Sequence, residues 1–406
     1  METQEINDLM TLVGPGQPAG ELLRRYWHPI AVARELTHEQ PTKFVRLLGE
    51  DLVLFRDKSG RVGLLADHCA HRSASLLYGR VEERGISCAY HGWLYDTEGN
   101  VLETPPERNE AIIRSVKQRA YPVQKMVGLY WAYLGPPPAP VIPKYDVWAR
   151  RDGARKIWVQ PMLDCNWLQP TENSMDPAHA HILHQGFRKV VSTTRGSIDD
   201  VAQFDFYEVP YGLMKKRVLK NGVVDEHPLL FPNILRHFRE TQIRVPIDDT
   251  HTQIFIIDFY PTDDGSEPLD DEPEVEYVPS FKAPADALHP FARFDLRPAW
   301  LKAHNAQPED HMAWETQGPI ANRTREHLSY SDKGIALLRR VLRENIRKVQ
   351  EGEDPKGVVR DPDHAIIDTN LDESLRLQER RNDPALAPVA IPAGAPGPFQ
   401  WDSKDS

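Results

Sequence analysis

The sequence predicts an α+β protein: an all-β domain first, then a larger domain in which an antiparallel sheet carries helices. Three observations lead there. Short strand-like runs with hairpin signals fill residues 27–135. The segment Gly135-Pro-Pro-Pro-Ala-Pro140 then reads as a linker, since its prolines cannot continue a helix or a central strand. Beyond it strands recur, now interspersed with helical stretches. At 406 residues the chain exceeds a typical domain of about 100–200 residues, so two domains are expected. Their expected spans are 27–135 and 136–406, with residues 1–26 packed on the second.

In the first domain, Val53-Leu-Phe55 and Val62-Gly-Leu-Leu65 flank Asp57-Lys-Ser-Gly60, a hairpin signal. Trp93-Leu-Tyr95 and Val101-Leu102 flank Asp96–Asn100 in the same way, and Leu129–Leu134 is aromatic and strand-like. After the linker, strands are expected at Ile157–Val159, Val201–Tyr207, Leu213–Leu219 and Gln253–Tyr260, with a helical stretch over about Asn166–His184. Thr262–Glu276 is acidic and carries Pro and Gly, which predicts an exposed loop. Ser331–Glu351 is the best helix, with Ile335, Leu338, Leu342, Ile346 and Val349 on one stripe. From residue 384 on, the Ala/Pro/Gly-rich composition predicts an extended or disordered arm.

Composition narrows the function. Apolar residues make up 40% and charged residues 27%, which suits a soluble globular protein. No run approaches the ~18 apolar residues of a membrane helix, and the N-terminus lacks a signal pattern, so a cytoplasmic chain is expected. A net charge of −11 argues against a nucleic-acid partner, whose phosphates call for clustered Lys and Arg. Three cysteines, Cys69, Cys88 and Cys165, are too few for a disulfide framework or a separate four-cysteine cluster. Cys165 reads as a small buried residue. No GxGxxG fingerprint opens a βαβ unit, so electrons from a pyridine nucleotide would need another protein.

Two Cys/His pairs carry the chemistry. Cys69-Ala-His71 and Cys88-Ala-Tyr-His91 lie sixteen residues apart, both in loops beside expected strands. Two thiolates and two imidazoles also make a common zinc set, which is the bland reading. His68 adjoins Cys69 but is not expected to ligate. The stretch CAHRSASLLYGRVEERGISCAYHGW (Cys69–Trp93) resembles the Rieske [2Fe–2S] motif almost residue for residue. It has Ala70 where many members have Pro. The resemblance implies that Cys69 and Cys88 hold one iron and His71 and His91 the other. Neutral imidazoles in place of thiolates raise the potential to roughly −150 mV or above.

A second constellation lies in Asn166–His184, NWLQPTENSMDPAHAHILH. Asp176, His179 and His184 have the spacing D-x2-H-x4-H. On an ideal helix His179 and His184 are ~140° apart, so the helix must end, kink or bulge for both to reach one ion. Pro177 supplies a local reason. On spacing alone the i,i+3 pair His181/His184 is equally credible. Asp176 also has the ordinary reading of a helix N-cap before Pro177.

This stretch resembles the mononuclear iron motif of Rieske non-heme iron oxygenases, N-W-x4-E-N-x2-D-x2-H-x4-H. The resemblance implies His179 and His184 as iron ligands. It implies Asp176 as the carboxylate bridging to a Rieske histidine of the neighbouring subunit. Glu309–Arg323 matches the downstream segment and points to Asp310 as third ligand, with Glu309, Glu315 and Asp332 as nearby alternatives. Two histidines and a carboxylate form the facial triad of non-heme Fe(II) oxygenases. Asn173 is a further residue expected near the iron.

The resemblance spans nearly the whole chain, from Val13 through Asp332, and is strongest to the phthalate dioxygenase-like and aromatic O-demethylase terminal oxygenases. It implies a helix-grip-like second domain and an apolar pocket beside the iron. It implies a separate NAD(P)H-dependent reductase, acting directly or through a ferredoxin. It also implies a homotrimer or a hexamer of stacked trimers. The expected reaction is O2-dependent oxidation of an aromatic acid by O-demethylation or ring hydroxylation, cis-dihydroxylation being the alternative. Arg188, Arg195, Arg217, Arg236 and Arg244 could pair with a substrate carboxylate, though most read as surface residues and the sequence does not choose among them. The rival from another class is a Rieske-type electron carrier, which would need only one small domain.

Overall fold

The computed structural model describes residues 2–107, 111–184, 198–261, 272–278 and 307–369. It is a mixed α+β protein with a small-sheet N-terminal part and a large C-terminal sheet. Two short helices come first, α1 (Gln4–Thr11) and α2 (Pro18–Leu23). Thr3 caps α1 by accepting from the Ile6 amide at 3.2 Å, and a proline opens α2, where its missing N–H costs nothing.

Three small sheets follow. β1 (Trp27–Val32) pairs with β11 (Leu129–Tyr133), and β11 with β10 (Val123–Met126). A second sheet has the order β2 (Thr42–Leu47), β3 (Glu50–Arg56), β4 (Val62–Ala66) and β9 (Ala120–Tyr121). The third is β5 (Arg80–Glu82), β6 (Gly85–Ser87), β7 (Leu94–Tyr95) and β8 (Val101–Glu103). Val53, Phe55, Leu65, Ile86, Trp93 and Tyr95 close a separate small core that also holds Cys69 and Cys88.

The larger part is an eight-stranded sheet. Its strands are β13 (Gly153–Val159), β14 (Val201–Val209), β15 (Gly212–Leu219), β16 (Val224–Leu230), β17 (Ile234–His237), β18 (Glu240–Pro246), β19 (Thr252–Pro261) and β20 (Glu274–Tyr277). Its order is β14-β15-β16-β17-β18-β19-β13-β20, antiparallel except for the parallel edge pair β13–β20. β20 corrects the expectation of an exposed loop through Glu276. Val275 is buried, while Glu274 and Glu276 meet Lys156 of β13 at 3.0 and 2.9 Å. Alternating acids satisfied from the next strand resemble a loop in composition. β16, β17 and β18 were also not expected, because buried polar residues such as His227, Arg236 and Arg244 break the hydrophobic pattern.

The helical stretch expected over Asn166–His184 is two helices, α5 (Leu168–Asn173) and α6 (His179–Ile182). Pro177 sits between them, where it cannot donate an intrahelical hydrogen bond. Two further short helices, α3 (Ala111–Ser115) and α4 (Asp146–Ala149), lie earlier in the chain. Later come α7 (Gln307–Glu315) and α8 (Lys333–Gln350), and β12 (Lys144–Tyr145) pairs in parallel with Ile366–Ile367. α8 buries Leu338, Val341, Leu342, Ile346 and Val349, each contributing about 1.5–3 kcal/mol when fully buried. Ile335, on the expected stripe, is only half-buried. α8 packs against α1 and α2, and Arg343 pairs with Glu2 at 3.0 Å. Arg188, Arg195 and the arm from residue 384 lie outside the described residues.

Candidate metal centres

The first centre is a cradle of two loops. Cys69 and His71 follow β4; Cys88 and His91 lie between β6 and β7. The first loop is held by Gln118, whose amide donates to the carbonyls of Ala66 and His68 and accepts from the Ala70 amide. The second turns through Gly92, whose φ of 73° is a conformation that disfavours side chains. The Gly92 amide closes the turn on the Cys88 carbonyl at 2.9 Å.

The cysteines are 3% and 2% exposed, whereas both histidines are half-buried. The imidazole rings of His71 and His91 lie 4.7 Å apart, and His71 stacks on Trp93 at 4.6 Å. Tyr95 Oη is 3.0 Å from Cys69 Sγ. Burial pushes the Cys88 thiol up, as does the Cys69 thiol beside it, against the pull of the Tyr90 and His91 amides. Both cysteines are free thiols. Two buried sulfurs with amide and hydroxyl donors, and two neighbouring imidazoles on the outer side, fit a cluster with sulfur and nitrogen on separate irons.

The second centre joins residues 126 positions apart. His179 opens α6, His184 follows it, and Asp310 lies in the first turn of α7. One ligand atom from each of the three lies within 4.8 Å of the others. Asp310 Oδ1 is 3.2 Å from His184 Nε2 and 3.8 Å from His179 Nε2, yet this buried oxygen has no hydrogen-bond partner. Buried oxygens rarely go unsatisfied, so the gap between these three atoms suits a cation. Burial alone would raise the Asp310 carboxyl, but His184, His179 and His311 outweigh it and hold it below the usual carboxylate range.

Buried partners orient these ligands. Glu309, 1% exposed, lies 2.7 Å from His184 Nδ1. A carboxylate there places the ring proton on Nδ1 and leaves the Nε2 lone pair facing Asp310. Asp176 caps α6 by accepting from the Ala178 and His179 amides at 2.9 and 3.3 Å, and its Oδ2 is 3.7 Å from His179 Nδ1. Burial would raise Asp176; the His179 side chain and the two amides hold it below its ordinary value. Gln169 of α5 binds the carbonyls of Trp314 and Gly318, tying α5 to the end of α7. Glu172 of α5 is clamped by Arg323 and Arg339, each 2.7–3.0 Å away.

Other expected residues are placed elsewhere. His181 turns away from the triad to Arg217, with its Nε2 2.9 Å from the guanidinium. Glu315 accepts from the Asp164 amide, and Asp332 from the Ser329 amide. His68 is exposed and Cys165 fully buried. Gln118, Gln169 and Tyr95 had no assigned part in the sequence reading. The two glutamines carry no local signal, while Tyr95 follows the ligand motif closely.

Strand register puts Lys215 opposite His227, Leu235 opposite Gln242, and Arg244 opposite Ile254. With side chains alternating, these residues share one face with Ile254 and Ile256, which pack with Trp314 of α7. This face lies toward the triad. Beside α6, Lys215, Arg217, Asp225, His227 and His237 line a small open pocket of about 20 Å³ with Pro177 and Ala180.

Comparison with known proteins places the chain. Residues 26–122 match the Rieske [2Fe-2S] domain, and residues 303–370 match the family described as LigXa C-terminal domain like. The 5,5'-dehydrodivanillate O-demethylase oxygenase subunit of Sphingobium sp. (strain NBRC 103272 / SYK-6) is 39% identical, over 89% of this chain and 84% of that one. The phenoxybenzoate dioxygenase subunit alpha of Ectopseudomonas oleovorans is 36% identical, over 86% and 87%. The terminal oxygenase of carbazole 1,9a-dioxygenase from Nocardioides aromaticivorans IC177 shares the fold, with a TM-score of 0.59 at 20% identity over 85% and 98%. The chain belongs to the Rieske non-heme iron oxygenases, as an oxygenase subunit. Its cofactors are those of the class, a Rieske [2Fe–2S] cluster and a mononuclear non-heme iron.

Proposed function

We propose that this subunit oxidises an aromatic acid with O2, by O-demethylation ahead of ring hydroxylation. The observation that carries the reading is the convergence of His179, His184 and Asp310 within 4.8 Å in a chain similar to an O-demethylase oxygenase subunit. Cys69, His71, Cys88 and His91 would hold the cluster; His179, His184 and Asp310 would hold the iron. When bound, the two groups supply one-electron transfer and oxygen activation. Glu309 keeps the His184 ring turned toward Asp310, and Asp176 holds the start of α6 and with it His179. Electrons come from a separate NAD(P)H-dependent reductase, directly or through a ferredoxin. Asp176 bridges to His71 or His91 of a neighbouring subunit in a trimer or a hexamer of stacked trimers.

The test is turnover with a reductase and NADH over methoxylated and unmethylated aromatic acids. Formaldehyde release in step with O2 uptake is expected from the methoxylated acids. Diol formation without formaldehyde would favour the second reading, ring dihydroxylation, which a relative named phenoxybenzoate dioxygenase supports. No O2 uptake with any acid would sink both and point to a substrate other than an aromatic acid. Asp176→Asn is expected to keep both metals and to slow electron transfer between centres about 100-fold, as misplaced reacting groups do. Unchanged single-turnover rates would remove the bridge.

A further inference from the structure

Three histidines, His179, His181 and His184, lie within six residues, and a facial triad takes only two. His181 and His184 stand i,i+3 and share a helix face, so by spacing His181 rivals His179 as the partner of His184. α6 is too short to settle the choice by itself. It is a four-residue helix, closed by the Leu183 amide on the His179 carbonyl at 2.7 Å. A single turn has little backbone bonding to fix its roll, so side-chain anchors decide which histidines face Asp310. Two anchors lie at its ends: Asp176 on the Ala178 and His179 amides, and Glu309 on His184 Nδ1.

The third anchor is in the middle. One terminal guanidinium nitrogen of Arg217, on β15, lies 2.9 Å from His181 Nε2. Both side chains are buried, at 6% and 1% exposure. Chemistry fixes the roles in this bond. A guanidinium only donates, so Nε2 accepts and its lone pair is spent. A metal needs that same lone pair. Arg217 is held in turn from the sheet. Asp225 stands opposite it in the β15–β16 register and pairs with its other terminal nitrogen, and Asp225 Oδ1 lies 3.3 Å from His227 Nδ1. The buried charge is therefore compensated within the chain.

We propose that Arg217 selects the ligand set of the mononuclear site. It withholds the His181 imidazole from the iron and fixes the roll of α6, leaving His179 and His184 as the pair that faces Asp310. It is a positioning residue, acting through His181. The inference rests on the assignment of the iron to His179, His184 and Asp310.

The test reads the coordination of the iron, not turnover. Full-length protein with its cluster oxidised, and so silent in EPR, is loaded with Fe(II) and treated with nitric oxide. The iron–nitrosyl EPR signal then reports the ligand set. The wild type is expected to give one signal. In Arg217→Met a second signal is expected, its share raised roughly tenfold, as loss of a hydrogen bond to a charged group predicts. Arg217→Met combined with His181→Leu is expected to return to the single signal, because the rival ligand is gone. A loss of packing alone would not be reversed by a second substitution. Arg217→Lys, which still donates, is expected to keep the single signal. An Arg217→Met signal identical to wild type overturns the proposal, and so does a second signal that persists in the double variant. If Arg217→Met does not fold, Asp225→Asn, which frees Arg217 from its acid, is judged by the same outcomes. A nitrosyl signal that survives Asp310→Ala unchanged shows instead that the triad assignment has failed, and the proposal with it.

Discussion

The cradle of Cys69, His71, Cys88 and His91 and the cluster of His179, His184 and Asp310 are assembled by opposite routes. The cradle is local. Its four side chains come from 23 residues of sequence, on two loops beside short strands, and Gln118 holds the first loop by three hydrogen bonds. The triad is assembled across the fold. One short helix brings two histidines, and a helix 126 residues on brings the carboxylate. Its geometry rests on Glu309, Gln169 and Glu172, none of which is one of the three converging residues. A local site is specified by its motif; a dispersed one is specified by the contacts that hold its helices.

If the two sites are independent, each can be lost alone. Asp310→Ala is expected to lower iron from about three to about two atoms per chain and to reduce turnover to background, with the cluster's visible spectrum intact. Cys88→Ser is expected to abolish that spectrum and spare the third iron. Loss of both signals in either variant would show that the sites are coupled.

Glu309→Gln probes the dispersed site more gently. Removing the carboxylate behind His184 is expected to weaken iron retention 10–100-fold, read by chelator competition, as changes behind a metal ligand do. An unchanged affinity would mean that α6 and α7 alone orient the ring.

The two regions meet in a shared core around β1, where His28 is buried with Nε2 on the Leu23 carbonyl. Burial, together with Arg24 and against that hydrogen bond, lowers His28 from 6.5 to about 4. The unfolded chain therefore binds the extra proton more readily. Stability present above pH 6.5 is lost as pH falls toward 4, by about 2 kcal/mol between pH 7 and 5. His28→Gln is expected to flatten that slope in urea unfolding; an unaltered slope would place the acid sensitivity elsewhere.

The smallest effect expected is at the cradle. Tyr95→Phe removes a hydroxyl 3.0 Å from Cys69 Sγ. A hydrogen bond of about 1 kcal/mol favouring the reduced cluster corresponds to a potential lower by roughly 50 mV. A potential within 10 mV of wild type on voltammetry would show the Tyr95 contact to be structural.

The same difference explains what could be read in advance. The α+β class, the helix over Lys333–Gln350 and the strands around the cradle follow from local periodicity and turn signals. For His179 and His184 to reach one ion the helix had to end, kink or bulge, with Pro177 a local reason for irregularity; the structure ends α6 at Ile182, before His184, and sets Pro177 between α5 and α6. Spacing left His179 and His181 as equal partners for His184. Only the tertiary fold separates them, by giving His181 to Arg217. Gln118 and Gln169 were illegible because their hydrogen bonds reach 48 to 152 residues along the chain. The choice among the arginines was illegible for the same reason, since pairing with Asp146 or Asp225 depends on strand register.

The brevity of α6 has a further consequence. Both histidines sit on or beside a four-residue helix, while the eight-stranded sheet is held by its own backbone pairing. The sheet is thereby expected to fold before metal is loaded. A cell short of iron would hold this chain as finished but idle stock. It could restore activity by delivering metal, with no new synthesis.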